Sequence, residues 1–283
     1  MDNIVWANSR IFDEAEFVVV GIPDESQSLA LRQGTAEAPY RIREISRLRD
    51  SYTRKGKTVV GFPFSYSSPK KIFDYGNIDR VQIDEVFDKI ITKSKIPISI
   101  GGDHSITRHI LKAFANTFRK VSLVYFDAHP DFVSSSTNYY GSVFYDSLPF
   151  IDVNSSILIG ARTPEKEELD NIKKHNLSVI TPFDVAEEGV KKISEKILGT
   201  IGNKVYISFD MDCIDPAYAP GVSVPVPFGI RSVDAIYLLK AIAKKGIVGM
   251  DIMEVCPSYD IKDRTSHLAS RLISEVIFST VLK

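Results

Sequence analysis

Three short segments place carboxylate and imidazole side chains directly after apolar runs. The segments are ISIGGDHS (98–105), LVYFDAHPD (123–131) and YISFDMDCIDP (206–216). Their candidate metal ligands are His104, Asp127, His129, Asp131, Asp210 and Asp212. Side chains two positions apart on extended backbone point to the same side. Each of the last two segments therefore presents its polar groups together, at the end of a predicted strand.

The four aspartates among these ligands carry a charge that the segments themselves do not balance. Taken singly, an aspartate at a strand end is commonly a helix cap, and a histidine at a helix start is commonly structural. Four aspartates gathered on buried strand ends would repel one another and lose their hydration. None of the three segments contains a lysine or an arginine, so we infer that two divalent ions compensate for the four charges.

The ligand types indicate which metals and which chemistry to expect. Carboxylate and imidazole ligands without a thiolate favour Mn, Fe(II), Co or Zn. Six ligands shared between two ions imply bridging carboxylates, and a hydroxide bridging such a pair is a nucleophile at neutral pH. The pattern therefore predicts a metal-dependent hydrolase that acts on a carbon or phosphorus centre.

Apolar runs rich in valine and isoleucine alternate with amphipathic stretches along the chain, which predicts repeated strand–helix units. The predicted strands are 17–22, 58–61, 98–101, 121–127, 157–161, 177–181, 205–210 and 248–255. Most are apolar at every position, as in strands buried on both faces of a parallel sheet. We predict an α/β fold, a doubly wound three-layer α/β/α sandwich, with a closed eight-stranded barrel as the alternative. One domain is expected over residues 1–283.

The composition argues against several classes of protein. The 283 residues are 44% hydrophobic and carry 35 lysines and arginines against 36 aspartates and glutamates, which indicates neither nucleic-acid nor anionic-membrane binding. The N-terminal residues do not have the order of a signal peptide, and no apolar run reaches the ~20 residues of a membrane helix. Cys213 and Cys256 are expected to be buried free thiols. We therefore predict a cytoplasmic protein with no nucleic-acid or membrane partner.

The three segments resemble the metal-binding signatures of the ureohydrolases, the family of arginase, agmatinase and formiminoglutamase. The matching motifs are GGDHS, DAHPD and SFDMDCIDPAYAPG. Residues 33–43 (QGTAEAPYRIR) and 249–257 (GMDIMEVCP) extend the resemblance over nearly the whole chain, and it is closest to agmatinase. The resemblance implies an arginase-like fold, a three-layer sandwich on an eight-stranded, mostly parallel sheet. It also implies a homo-oligomer, a trimer or a hexamer.

The resemblance further implies a role for each candidate residue. Two Mn²⁺ ions, or other divalent ions such as Co, Fe or Zn, would occupy the site. One ion would be held by His104, Asp127, Asp131 and Asp210, and the other by Asp127, His129, Asp210 and Asp212. Asp127 and Asp210 would bridge the two ions. Glu254 matches the glutamate that binds the substrate guanidinium, and Asp131 would relay a proton from the attacking hydroxide to the leaving amine.

Three features depart from the family pattern. Tyr140 stands where many members have a histidine that is thought to shuttle protons. Residues 221–229 read GVSVPVPFG where agmatinases usually read GTGTPEPGG, which introduces Val222, Val224 and Val226. We expect these valines to make the pocket wall more apolar. Val133 replaces an asparagine that arginases use, which argues against arginine as the substrate.

The leading hypothesis is a hydrolase that converts agmatine to putrescine and urea, a step in polyamine biosynthesis. An alternative enzyme would act on another guanidino or formimino compound, such as a guanidino acid, formiminoglutamate or arginine. A further alternative is a non-catalytic metal-containing binding protein, which Tyr140 and the valine-rich segment would suit. Release of urea or ammonia from a panel of such compounds would separate these hypotheses.

Overall fold

Eight parallel strands form the central sheet in this computed structural model, which describes residues 3–48, 53–54, 57–58, 70–134 and 139–282. The strands are β1 (Phe17–Gly21), β2 (Thr53–Arg54), β3 (Lys57–Thr58), β4 (Ile72–Asn77), β5 (Ile96–Ile100), β6 (Ser122–Phe126), β7 (Ile157–Ile159), β8 (Ser178–Ile180), β9 (Val205–Asp210) and β10 (Gly249–Met253). The central sheet has the order β4-β1-β5-β10-β9-β6-β7-β8, and its neighbouring strands are parallel. The short strands β2 and β3 pair only with each other, in antiparallel orientation.

Helices cover both faces of this sheet. The α-helices in the described part of the chain are α1 (Ala38–Ser46), α2 (Ile83–Thr92), α3 (Ile106–Phe118), α4 (Val143–Ser147), α5 (Lys166–Lys174), α6 (Pro182–Glu188), α7 (Val190–Thr200), α8 (Ser232–Lys245) and α9 (Arg264–Ser279). One hydrophobic core lies between the sheet and α1, α6, α7, α8 and α9, and the other lies between the sheet and α2, α3, α4 and α5. Successive residues of β1 enter opposite cores, Phe17 and Val19 one and Val18 and Val20 the other. The predicted three-layer sandwich is therefore confirmed, and the barrel alternative is wrong.

One strand of the sheet was not predicted, and one predicted strand lies mostly outside the described residues. Of the predicted strand 58–61, Thr58 lies in β3, and residues 59–61 fall outside the described ranges. The sheet contains β4, an edge strand that the sequence pattern missed. The reason is its polar content: Asp74 of β4 is buried against Arg43, with 2.9 Å between Oδ1 and Nη2. Such a buried ion pair interrupts the apolar run by which strands are recognised.

The strand order explains how the three ligand segments meet. Strands β5, β10, β9 and β6 are consecutive neighbours in the sheet, and each is followed by one polar segment. His104 follows β5, Asp127 follows β6, Asp212 follows β9 and Glu254 follows β10. Because parallel strands end at the same edge, these side chains converge at the carboxyl edge of the sheet, where ligands bind in open α/β folds.

Two expectations from composition can be compared with the structure. Both Cys213 and Cys256 are free and buried, as predicted. No helix in the described ranges combines the length and the apolar character needed to cross a membrane.

Candidate metal centre

Two overlapping groups of histidine and aspartate side chains lie at the carboxyl edge of the sheet. The buried group is His104, Asp127 and Asp210, and the cavity-facing group is Asp127, His129 and Asp212. Within each group the ligand atoms all lie within 4.8 Å of one another. Asp131 adjoins the buried group, with its Oδ2 3.7 Å from His104 Nδ1. All six predicted ligands line one cavity, so the structure brings together every residue that the sequence analysis selected.

The atoms of the buried group are arranged as ligands around a cation. Asp127 Oδ2 lies 3.0 Å and Asp210 Oδ2 lies 3.1 Å from Nδ1 of His104. Asp127 Oδ2 is buried and accepts no hydrogen bond from the described residues, which is rare for a buried carboxylate oxygen. A divalent ion would satisfy this oxygen, and the mixed carboxylate and imidazole ligands suit such an ion. The residues present therefore fit a metal site.

A chain of hydrogen bonds fixes the tautomer of His104. Its Nε2 lies 2.8 Å from Ser208 Oγ, and the Ser208 hydroxyl donates to Asp251 at 2.8 Å. Asp251 also accepts from the hydroxyls of Thr107 and Tyr206. Because the single proton of Ser208 goes to a carboxylate, His104 Nε2 must carry a proton and donate it to Ser208. In the neutral imidazole Nδ1 then keeps its lone pair, which is the form that binds a metal.

Backbone N–H groups hold three of the aspartates, Asp127, Asp210 and Asp212. The N–H of His129 donates to Asp127 Oδ1 at 2.7 Å, and the N–H of Ala128 donates to Asp212 Oδ1 at 3.0 Å. The N–H of Asp212 donates in turn to Asp210 Oδ1 at 2.7 Å. Each carboxylate thus has one oxygen fixed by the chain and the other turned toward the ligand cluster. His129 Nδ1 lies 3.0 Å from Asp212 Oδ2.

The electrostatics of the cluster also indicate a cation. Burial, reinforced by the charge of Asp212, raises the pKa of Asp210 well above its ordinary value. Burial and the charge of Asp127 raise the pKa of Asp131 in the same way. A nearby positive charge would reverse both shifts, since it favours the ionised form of a carboxylate. The four aspartates can therefore all be ionised at neutral pH when divalent ions are bound.

Tyr125 of β6 is part of this centre, although the sequence analysis did not select it. Its ring stacks on the imidazole of His104, with 4.7 Å between centroids and 6° between planes. Its hydroxyl donates to Asp131 Oδ2 at 2.5 Å. The signal was present in the sequence, because Tyr125 is two residues before Asp127 and so points to the same side of the strand.

Glu254 lies in the wall of the cavity and not on the surface, with 2% of the residue exposed. Its backbone has φ of 62°, in the left-handed region, and its N–H donates to the carbonyl of Gly102 at 3.0 Å. Its Oε1 accepts from the N–H of His104 at 2.8 Å, and its Oε2 accepts from the hydroxyl of Ser223. Burial raises the pKa of Glu254 to about 8, and a bound cation would favour its ionised form.

The departures from the family pattern fall at different places in the structure. Tyr140 lines the cavity and begins a short 3₁₀ turn, Tyr140–Ser142. Of the three valines expected in the pocket wall, Val224 lines the cavity. The expectation was wrong for Val222, which lies in the hydrophobic core, and for Val226, which is not among the residues that line the cavity. Val133 also lines the cavity.

Several lining residues were not recognised from the sequence as part of a site. Glu165 and Glu168, at the start of α5, face the cavity, although the acids there fit equally well as helix-dipole partners. Arg162 is not among the residues that line the cavity. Its guanidinium donates to the backbone carbonyls of Asp212 at 2.8 Å and of Val226 at 2.6 Å, so it ties a predicted ligand segment to the loop after β9.

Comparisons with known proteins find similarity over nearly the whole chain. A sequence model of the arginase family matches residues 15–279. An agmatinase of Neisseria meningitidis serogroup C is 33% identical over 280 residues, covering 93% of this chain and 87% of that protein. Residues 15–279, which the family model matches, include all six predicted ligands and Glu254.

Solved structures show the same similarity. The agmatine ureohydrolase of Thermoplasma volcanium has a TM-score of 0.85 and 33% identity, covering 99% of this chain and 94% of that one. The formimidoylglutamase of Bacillus subtilis has a TM-score of 0.83 and 25% identity, covering 94% of this chain and 87% of that one. The overall fold and the arrangement of the sheet are therefore shared across relatives that differ in their substrates.

Proposed function

This chain belongs to the arginase family, and we propose that it is a metal-dependent hydrolase that cleaves agmatine to putrescine and urea. The choice of agmatine as the substrate rests on the charge of the cavity. Seven carboxylates line it: Asp127, Asp131, Glu165, Glu168, Asp210, Asp212 and Glu254. Neither lysine nor arginine is present among its described lining residues.

Two divalent ions would neutralise four of these seven charges and leave a cavity suited to a cation. Agmatine has a cationic guanidinium at one end and a cationic amine at the other, so both ends match a negative wall. Arginine, guanidino acids and formiminoglutamate each bring at least one carboxylate, which would meet like charge. The cavity therefore favours agmatine over the substrates of the alternative hypotheses.

We propose that the bound ions are two Mn²⁺, with the ligand sets that the family resemblance implies. Asp127 and Asp210 would be the ligands shared by the two ions, and the place of Asp127 in both groups supports this for Asp127. Such ions activate a water molecule at neutral pH and stabilise negative charge in the transition state. Co, Fe and Zn would suit the same ligands, so elemental analysis of the protein as purified from its native cells would test the assignment.

The protein's own side chains would bind the substrate and transfer a proton from the attacking water to the leaving nitrogen. Glu254 receives two parallel N–H groups of the guanidinium and orients the central carbon toward the ions. Asp131, held by the Tyr125 hydroxyl, accepts a proton from the attacking water. It returns that proton to the nitrogen that leaves as an amine, so water adds to the carbon, one C–N bond breaks and urea remains.

We propose that Tyr140 contributes a hydrogen bond near the reacting groups and does not shuttle protons at neutral pH. Burial raises its pKa further above the ordinary value of a tyrosine. It therefore stays protonated at neutral pH and can donate, but it releases its proton too rarely to replace a histidine.

A substrate panel tests the proposal. The purified protein is loaded with Mn²⁺ and assayed for urea and ammonia with agmatine, arginine, a guanidino acid and formiminoglutamate. Urea from agmatine, at a catalytic efficiency at least tenfold above the others, is the expected result. Preference for a carboxylate-bearing compound would contradict the charge argument. Turnover of none of them, with both ions bound, would favour the non-catalytic binding protein.

We further propose that the protein works as a homo-oligomer, a trimer or a hexamer, in the cytoplasm. The proposed oligomeric state rests on the family resemblance. Light scattering coupled to size exclusion would give the oligomer mass, and fractionation of the source cells would give the location.

A further inference from the structure

A serine hydroxyl that the agmatinase pattern does not supply holds the carboxylate of Glu254. Ser223 donates a hydrogen bond to Oε2 of Glu254. Both residues are buried, with 5% and 2% exposed, and both line the cavity. We propose that Ser223 is a positioning residue that fixes the Glu254 carboxylate for a guanidinium ion, and thereby sets the affinity for the substrate. This inference rests on the proposed function.

The backbone places Ser223 opposite Glu254. Val222 and Val255 form an isolated antiparallel bridge, and the N–H of Cys256 donates to the carbonyl of Gly221 at 2.7 Å. In an antiparallel pair each step forward on one chain is a step backward on the other. The residue after Val222 therefore meets the residue before Val255, and Ser223 is aligned with Glu254 by main-chain pairing.

Ser223 and His104 together leave the carboxylate ready to bind. Oε1 of Glu254 accepts the N–H of His104 at 2.8 Å, and Oε2 accepts the hydroxyl of Ser223. Each carboxylate oxygen has about two acceptor sites, so one site on each remains for the two N–H groups of a guanidinium. The two existing hydrogen bonds fix the rotation of the carboxylate plane, which bidentate binding requires.

The backbone of Glu254 makes this support more important. Its φ of 62° is uncommon for a residue with a side chain, and such a conformation persists only where the surroundings hold it. The sequence also differs from the agmatinase pattern in which of these positions carry a hydroxyl. In the agmatinase pattern GTGTPEPGG, threonines stand at the positions of Val222 and Val224 and a glycine at that of Ser223. This chain has lost two hydroxyls and gained the one that contacts Glu254.

The test compares Ser223→Ala with Ser223→Thr in the Mn²⁺-loaded protein. Loss of a hydrogen bond to a charged group predicts that Ser223→Ala raises KM for agmatine about tenfold or more, whereas kcat changes less than about threefold and two ions remain bound. Ser223→Thr keeps the hydroxyl and restores most of the affinity. Ser155→Ala is the matched control, because it removes a hydroxyl that donates to Asp152 at 2.8 Å, away from the cavity.

Two further results separate this inference from its alternatives. A purely structural serine would lower the melting temperature in Ser223→Ala and leave KM as in wild type, which would overturn the proposal. Calorimetric titration with guanidinium chloride measures binding without turnover. Weaker guanidinium binding by Ser223→Ala would support the role of Ser223 even if wild type hydrolysed no compound of the panel, whereas equal binding by both proteins would refute it.

Discussion

The two halves of the candidate metal centre share Asp127 but differ in how the protein supports them. In the buried group the side chain of His104 is 1% exposed, whereas in the cavity-facing group the side chain of His129 is 28% exposed. His104 also rests on Tyr125 and on the chain through Ser208 to Asp251. Nε2 of His129 has no hydrogen-bond partner among the described residues.

This difference suggests a division of tasks within one site. The folded core orients His104 and selects its tautomer before any ion binds, so the buried group is a preorganised site. The cavity-facing group has the more exposed histidine, and the ring of this histidine is less constrained by its neighbours. We expect the buried group to bind its ion more tightly and to release it more slowly.

Asp127→Ala should have the largest effect, because it removes the one side chain that both groups contain. We expect loss of both ions and of nearly all activity, more than about 1,000-fold, since a two-metal mechanism needs both. Metal content by mass spectrometry and urea release would be measured on the same sample. A variant that kept two ions and its activity would refute the shared ligand and, with it, the comparison.

Ser208→Ala should affect only the buried group. It removes the acceptor for Nε2 of His104 and so the selection of its metal-binding tautomer. Loss of such support typically lowers metal affinity 10–100-fold, and calorimetry should show this for one of the two ions. Ser99→Ala is the control, since it removes a buried hydroxyl from strand β5, which β10 separates from β9 in the sheet. Equal weakening of both ions would show that the two groups are not supported independently.

The sequence predicted the ligands of both groups but not the residues that support the buried group. The ligands themselves were found because two-residue spacing after apolar runs is visible in the chain. The supports were not, because Ser208 and Asp251 look like ordinary strand residues until β9 and β10 are known to be neighbours. Contacts between strands distant in sequence depend on strand order, which a single sequence does not encode locally.

Strands whose buried side chains are apolar were predicted correctly, whereas the strand that contains a buried ion pair was missed. Strands such as β1 are apolar on both faces, so their pattern alone identifies them. Strand β4 escaped because Asp74 is buried by pairing with Arg43. The place of Glu168 in the cavity was missed because it is also a polar residue in a folded environment. Its Oε1 accepts from the N–H of Phe132 at 3.1 Å, and the residue lines the cavity. Its sequence context shows only an acidic helix start.

A chelator should remove the two ions of the wild-type protein one after the other. Because the cavity-facing group is more exposed, its ion should leave first, with a rate about tenfold or more above that of the other. With Mn²⁺ bound, electron paramagnetic resonance would show the coupled dinuclear signal giving way to a mononuclear one. His129→Asn should show the mononuclear signal from the start. Simultaneous loss of both ions from wild type would contradict the inferred difference in support.

Tyr140→His should have the smallest effect and should separate proton transfer from metal binding. Tyr140 lines the cavity, and burial raises its pKa, so it stays protonated at neutral pH. Wild type should therefore be most active at a pH above that of a histidine-bearing relative. The histidine variant should gain activity at pH 7, by a few-fold to about tenfold, and its pH optimum should shift downward. The metal content should stay at two ions, because neither group contains residue 140. If the pH profile were unchanged, the residue at position 140 would have no part in proton transfer.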